Sequence, residues 1–330
     1  MRVLAWQGMP SMEAMRTVAH RMDADLEVLV ISSNEHLEEL LRDDEPFDVV
    51  FPSDYLVQRL RQNGRLLELG PLPLARLEPW AVEAAYDPGC RHSVPFAYGT
   101  TGLLRGPSAS RISSWGSMFA PPPGTVVGML DEAREVVGAA LIATGRSPND
   151  CSEHALDAAR ELLLAQQHVV AGYDSDDFCE PVEAGRVAVH QAWSGPAAQA
   201  VRSLRGLSYV VPDEGAVFWT TTAAIPADAA DPERSITIIR GLMEPELAAL
   251  ATAEHGYATP NRAARELLPS ALRGDPALFT DHATRERCHV LVDLGPDEAR
   301  LLEVWGEARG RLSLAPALRL RSARRRPCGA

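Results

Sequence analysis

Strand-like apolar segments alternate with helix-like segments over the first 51 residues, and this order restricts the fold more than any other feature of the chain. The predicted elements are, in order, a strand at Val3–Trp6, a helix from Ser11, a strand near Leu26–Ile31, a helix over Asn34–Leu41 and a strand at Phe47–Phe51. A β-α-β-α-β order is typical of a mostly parallel sheet with helices on both faces. Ligands of such sheets bind at the carboxyl ends of the strands, so the turns after Trp6 and Phe51 are expected to face a binding site.

A second α/β unit is predicted to begin near residue 102. The apolar, glycine-punctuated segment Ser93–Leu104 precedes it, and the proline-rich run at 121–124 is a stiff connector. Further elements are predicted as a strand at Thr125–Leu130, helices at Glu132–Ala143 and Glu153–Gln167, and strands near Val187–Gln191 and Tyr209–Val211. One long helix is then expected from the Asp231 cap and Pro232 to His255-Gly256.

A chain of 330 residues is too long for one ordinary core, so two lobes are expected. We predict lobe 1 from residues 1–101 and 218–267, lobe 2 from residues 102–217 and 268–312, and a mobile basic tail at 313–330. The net charge of −13 disfavours nucleic acid as a partner and is compatible with a cationic ligand.

No metal, cofactor or catalytic group is expected from the sequence. The five cysteines include no Cys-x-x-Cys pair, and no histidine lies at metal-ligand spacing. Ser194 lacks the first glycine of a Gly-x-Ser-x-Gly elbow, and His190 and His255 are expected to be structural. No segment approaches the roughly 20 apolar residues of a membrane helix. The first residues do not form a signal peptide, so either a leader has been removed or the protein stays inside the cell.

Four sequence stretches, in this order, resemble the spermidine/putrescine-binding proteins of bacterial ABC importers. They are Phe47-Asp48-Val49-Val50-Phe51-Pro52-Ser53-Asp54-Tyr55, Val94-Pro95-Phe96-Ala97-Tyr98-Gly99-Thr100-Thr101-Gly102, Asp131-Glu132-Ala133-Arg134-Glu135-Val136 and Gly256-Tyr257-Ala258-Thr259-Pro260-Asn261. The resemblance extends from Trp6 to about Trp305. It implies the type II periplasmic-binding fold, in which two α/β lobes joined by crossing strands close by hinge motion on a ligand between them.

The resemblance also implies which residues bind the ligand. A linear polyamine needs carboxylates for its ammonium groups and aromatic faces along its chain. The residues at the corresponding positions are Trp6, Ser53, Asp54, Tyr55, Glu132, Glu135, Trp193, Trp219, Thr221 and Tyr257. Asp54 could equally be a turn or cap residue, and Glu132 and Glu135 could simply complement a helix dipole. A small organic amine, and an ABC permease if the protein is exported, are the implied partners of an expected monomer that does not insert into a membrane.

Two positions depart from the family. Thr221 stands where the family has an aspartate that pairs with a ligand ammonium, and Leu291 stands where it has a glutamine. Loss of one partner of a buried charge pair typically costs about 2–5 kcal/mol. Three hypotheses remain open: a polyamine-binding protein, a binder of a less charged ligand with the same fold, and a cytoplasmic enzyme or pathway protein that has co-opted the fold.

Overall fold

The computed structural model describes residues 1–42 and 46–314, with side chains up to residue 311. The chain divides into two compact units. Unit 1 comprises Met1–Tyr98 and Trp219–Asp275, and unit 2 comprises Gly99–Phe218 and the chain from Pro276 onward. The sequence analysis predicted that the chain passes from one lobe to the other after residues 101, 217 and 267. From residue 315 on, the predicted basic tail lies outside the described residues.

The described residues form short strands and helices that alternate along the chain. The strands are β1 (Arg2–Trp6), β2 (Glu27–Ile31), β3 (Val49–Val50), β4 (Ser93–Arg105), β5 (Val127–Met129), β6 (Val170–Tyr173), β7 (Val189–Trp193), β8 (Ser208–Val210) and β9 (Val217–Ala224). The helices are α1 (Met12–Arg21), α2 (Asn34–Leu40), α3 (Asp54–Gln62), α4 (Pro79–Val82), α5 (Trp115–Phe119), α6 (Ala133–Ala143), α7 (Glu153–Gln166), α8 (Cys179–Glu183), α9 (Ser194–Ser203), α10 (Pro232–Leu242), α11 (Pro245–His255), α12 (Arg262–Leu267), α13 (Ser270–Arg273), α14 (His282–Arg287) and α15 (Glu298–Leu314).

Unit 1 contains the β-α-β-α-β run predicted for the first 51 residues. Strand β1 pairs in parallel with β2 and with β3, and β3 pairs antiparallel with β9 through Val50 and Ala224. The assigned strand β3 is shorter than predicted, but the amides of Asp48 and Phe51 still donate to carbonyls of β1. The carboxyl ends of β1, β2 and β3 therefore lie at one edge of the sheet, where the sequence analysis expects the ligand.

Unit 2 has its own sheet and core. Strand β5 pairs in parallel with β6 and β7, whereas the unit 2 part of β4 pairs antiparallel with β7 and β8. A core cluster of buried side chains lies against β7, with Leu104, Phe178 and Ala192 among its members. In β5, Gly128 allows close packing, because a Cβ there would lie 2.0 Å from the ring of buried His190. The predicted helix at 132–143 is confirmed as α6.

The prediction of one helix from Asp231 to His255 is wrong, because the structure contains two. Helix α10 ends at Leu242 and α11 begins at Pro245. A proline disfavours helical dihedral angles in the residue before it, and Glu244 is extended, with ψ of 134°. The predicted Asp231 cap is confirmed, since its carboxylate accepts from the amide of Arg234 at 3.0 Å.

None of the helices in the described ranges is long and apolar enough to cross a membrane.

Candidate functional site

The loop after β3 is fixed in unit 1 by the side chain of Asn34. Its Nδ2 donates to Ser53 Oγ at 3.0 Å and to the Tyr55 hydroxyl at 2.7 Å, and its Oδ1 accepts from the Ser53 amide at 3.2 Å. Asn34 is buried, at the start of α2 and just beyond the carboxyl end of β2. It therefore holds two of the predicted site hydroxyls at the edge of the sheet where β1, β2 and β3 end.

Sequence reasoning did not single out Asn34. The only local signal was its position after a strand of a parallel sheet, which is where ligand-binding residues collect. Its partners lie 19 and 21 residues further along the chain. A pattern in the local sequence therefore could not show that these three side chains meet.

Strand β9 lies beside the same loop in unit 1. Ser53 and Thr221 form an isolated antiparallel bridge, and the amide of Thr222 donates to the carbonyl of Pro52 at 3.0 Å. Bridged residues on neighbouring strands project to the same face, and so do residues two apart on one strand. Ser53, Thr221 and Trp219 therefore share one face of unit 1.

Trp219 and Tyr257 form an aromatic pair on unit 1. Their ring centroids are 4.9 Å apart and their planes meet at 83°, which is an edge-to-face arrangement. Tyr257 follows the left-handed Gly256 that ends α11, and its amide donates to His255 Nδ1 at 3.0 Å. Burial lowers the pKa of His255 to about 3, so the imidazole beside the pair is neutral at physiological pH.

Asp54 lies in the interior of unit 1. One carboxylate oxygen accepts from the amide of Tyr55 at 2.8 Å and the other from the amide of Thr220 at 3.0 Å. Only 1% of Asp54 is exposed. The carboxylate thus ties the start of α3 to β9, and a direct contact with a ligand stays a prediction for this residue.

Trp6 is half-buried at the end of β1. Its indole Nε1 donates to the carbonyl of Phe51 at 2.8 Å, so this polar atom is satisfied inside unit 1. The turn that follows contains Gly8 at φ of 73°, a conformation that glycine adopts without strain. The turn after β1 therefore lies at the edge where the parallel strands end, and that it faces a ligand stays a prediction.

In unit 2 the predicted acidic residues lie at the start of α6. Glu132 is the residue before the helix, and the buried Glu135 is in its first turn. The side chain of Gln191 connects this turn to the sheet, because its Nε2 donates to the Glu135 carbonyl at 2.9 Å and its Oε1 accepts from the Leu130 amide at 3.4 Å. Gln191 thus fixes the backbone that carries both glutamates.

Trp193 is the last residue of β7, two residues beyond Gln191, and it directly precedes α9. It is half-buried and lies edge-on to Phe178, with ring centroids 6.2 Å apart. The Oγ of the next residue, Ser194, accepts from the Thr100 amide at 3.2 Å, which is a structural contact. Burial lowers the pKa of nearby His190 to about 4.

Leu291 is buried in a segment of unit 2 that has no regular secondary structure. Asn149 holds this segment, because its Nδ2 donates to the Val290 carbonyl at 2.9 Å and its Oδ1 accepts from the Val292 amide at 3.1 Å. Across the described ranges, no three His, Cys, Asp or Glu side chains are grouped so that they could hold a metal ion.

Two α/β units of this topology, with aromatic and polar side chains beyond the ends of parallel strands, define the type II periplasmic-binding fold of solute-binding proteins. The sequence pattern of bacterial extracellular solute-binding proteins matches residues 23–280, and the chain belongs to that family. The spermidine/putrescine-binding periplasmic protein of Salmonella typhimurium is 32% identical over 262 residues, which cover 78% of this chain and 75% of the relative.

Solved structures agree with this assignment. A Listeria monocytogenes protein assigned to a spermidine/putrescine ABC transporter is 25% identical, with a TM-score of 0.85 over 95% of this chain and 98% of its own. The spermidine/putrescine substrate-binding protein PotD of Streptococcus pneumoniae is 22% identical and superposes with a TM-score of 0.81, over 95% of this chain and 98% of its own. The fold expected from the resemblance is thereby confirmed.

Proposed function

We propose that this protein is the substrate-binding receptor of an ABC importer and that its ligand is a small organic amine related to the polyamines. The observation that carries the proposal is the 32% identity, over 78% of the chain, to a protein that binds spermidine and putrescine. Identity at this level over most of both chains favours a ligand of the same chemical class.

The side chains of unit 1 support an amine ligand. An ammonium or its neighbouring methylene groups can lie against the faces of Trp219 and Tyr257, an interaction worth about 0.5–2 kcal/mol for each cation–ring contact. The edge-to-face packing of the two rings at 4.9 Å limits their rotation. Fixed rings lose little conformational entropy when a ligand binds.

Unit 2 contributes the carboxylates in this proposal. Glu132 and Glu135 would neutralise an ammonium group, and Trp193 would pack against the methylene chain. The support is the resemblance together with the buried Gln191 contact, which fixes the first turn of α6. We therefore expect that residues of both units bind the ligand and that the protein closes on it by hinge motion.

The curated relatives are periplasmic proteins by name. We therefore propose that this receptor works outside the cytoplasmic membrane, in the periplasm or at the cell surface, and delivers its ligand to an ABC permease. Fractionation of the native host with an antibody against the protein tests this location.

Isothermal titration of the full chain tests the amine ligand. Putrescine, cadaverine, spermidine and agmatine form the panel, and 1,4-butanediol is the neutral control with the length of putrescine. We expect saturable binding of at least one amine and none of butanediol. Absence of binding to the whole panel would contradict the proposal.

A matched pair of variants tests the proposed place of binding. Trp219→Ala removes one ring and should weaken amine binding by about 5- to 30-fold, the loss of about 1–2 kcal/mol. Trp80→Ala breaks another edge-to-face pair of unit 1, with Tyr98, and should leave affinity unchanged. Equal losses in both variants would indicate a general effect on folding.

A further inference from the structure

The indole nitrogen of Trp219 is a buried hydrogen-bond donor that has no partner among the described residues. Two other tryptophans of the chain satisfy theirs: Trp6 donates to the Phe51 carbonyl and Trp115 to the Gly215 carbonyl, both at 2.8 Å. A buried donor without an acceptor is costly, and such groups in folded proteins commonly have a functional explanation. The Trp219 N–H therefore points to an acceptor that the described residues do not supply.

Ser53 offers a second donor on the same face of unit 1. Its Oγ accepts a hydrogen bond from Asn34 Nδ2 at 3.0 Å, so a lone pair is used and the hydroxyl hydrogen is directed elsewhere. No hydrogen bond donated by this hydroxyl occurs within the part of the chain that the structure describes. The hydroxyl hydrogen of Ser53 is therefore available to an acceptor outside the described residues, on the face that Ser53 shares with Trp219.

The residues of this face provide no free carboxylate to pair with a second ammonium group. Thr221, bridged to Ser53, is neutral and 4% exposed. The neighbouring carboxylate of Asp54 accepts two backbone hydrogen bonds in the interior. An ammonium has three N–H donors and no acceptor, so it cannot satisfy the donors of Trp219 and Ser53.

We infer that the part of the ligand that contacts unit 1 carries a neutral hydrogen-bond acceptor, an amide carbonyl oxygen, in place of a second ammonium. The inference rests on the proposed function, which supplies the first ammonium, and it specifies the substrate class as monoacylated diamines. A carboxylate at this end is disfavoured, because the residues that share the face, Ser53, Trp219 and Thr221, include no lysine or arginine. A buried charge without a counter-ion costs far more than a buried amide.

Three ligands that share a terminal ammonium separate the alternatives: N-acetylputrescine with a neutral carbonyl, putrescine with a second ammonium, and 4-aminobutyrate with a carboxylate. Titrated into the full chain, N-acetylputrescine should bind at least about tenfold more tightly than either of the others. This corresponds to about 1.4 kcal/mol, within the usual range for one satisfied buried donor.

Trp219→Phe removes the N–H but retains an aromatic ring. It should weaken the binding of N-acetylputrescine by about 5- to 100-fold, because this ligand accepts a hydrogen bond from the indole. Putrescine has no acceptor, so its affinity should change by less than about threefold. Ser53→Ala should show the same selective loss. It supplies the comparison if Trp219→Phe fails to fold, which a thermal melt reports.

The outcomes are distinguishable. Putrescine bound as tightly as N-acetylputrescine, or more tightly, would overturn the inference and leave the proposed function standing. If 4-aminobutyrate binds most tightly, the acceptor on the ligand is not neutral. If the folded variants lose affinity equally for N-acetylputrescine and putrescine, Trp219 and Ser53 do not act as donors to the ligand. Failure of all amines to bind would overturn the proposed function and the inference with it.

Discussion

The side-chain amide of Asn34 donates a 2.7 Å hydrogen bond to the hydroxyl of Tyr55, across 21 residues of sequence. The same nitrogen also donates to Ser53, so one buried amide sets the positions of two hydroxyls beyond the ends of the parallel strands. Side chains held in this way are preorganised, and a ligand that meets them gains affinity because little order has to be created on binding.

Replacement of Asn34 should therefore affect both stability and binding. Asn34→Ala removes the donor to Ser53 and Tyr55 and should lower the free energy of unfolding by about 1–3 kcal/mol. The affinity for N-acetylputrescine should fall by about tenfold as the two hydroxyls lose their fixed positions. Urea denaturation and isothermal titration measure the two effects. Asn63→Ala, at an exposed asparagine that ends α3, is the control and should change neither quantity; unchanged binding in Asn34→Ala would contradict a positioning role.

Thr221→Asp should raise the affinity for diamines. The substitution restores a carboxylate where the resembling family has one, on the face of β9 that also carries Trp219. A buried charge pair of this kind is typically worth about 2–5 kcal/mol, so putrescine should bind at least tenfold more tightly by isothermal titration. Thr221→Asn has nearly the same shape without the charge and should give no gain. If the aspartate variant binds putrescine no better, position 221 does not face an ammonium.

The acidic residues of α6 can be tested against the simpler explanation that they complement the helix dipole. Glu132→Gln should weaken amine binding by about tenfold or more if the carboxylate pairs with an ammonium. Glu153→Gln removes an exposed acid from the first turn of α7, also in unit 2, and serves as the matched control. If Glu132→Gln and Glu153→Gln change stability equally and neither changes amine affinity, Glu132 only complements the helix dipole.

Two histidines with lowered pKa values should make the protein less stable in mild acid. Burial lowers the pKa of His255 to about 3 and that of His190 to about 4, below the value of about 6.5 for an unfolded histidine. The unfolded state therefore binds more protons, and the free energy of unfolding should fall as the pH drops from about 6.5 toward 4. The slope approaches about 1.4 kcal/mol per pH unit for each histidine.

Denaturation curves between pH 7 and 5 measure this slope. His255→Gln should lower this slope by up to about 1.4 kcal/mol per pH unit, the contribution of one proton. His168→Gln, at an exposed histidine, is the control and should leave the slope unchanged. An identical slope in wild type and His255→Gln would show that His255 titrates normally in the folded protein.

Much of the fold could be predicted because its signals are local. The alternation of strands and helices in the first 51 residues, the Asp231 cap and the helix at 132–143 depend on side chains within a few residues of one another. The break between α10 and α11 also had a local signal in Pro245, but the regular apolar spacing on both sides of it favoured one helix. There the conformational limit on the residue before proline outweighed the periodicity.

The sequence by itself determined the class of fold, the family and the types of residue available for binding an amine. Only the tertiary structure decided which polar atoms are satisfied and which are not. Asp54 proved to accept from two backbone amides, the Ser53 hydroxyl proved to accept from Asn34, and the N–H of Trp219 proved to be buried with no acceptor among the described residues. The physical reason is that a hydrogen bond depends on distances of about 3 Å and on direction, and residues far apart in sequence reach such distances only when the chain has folded.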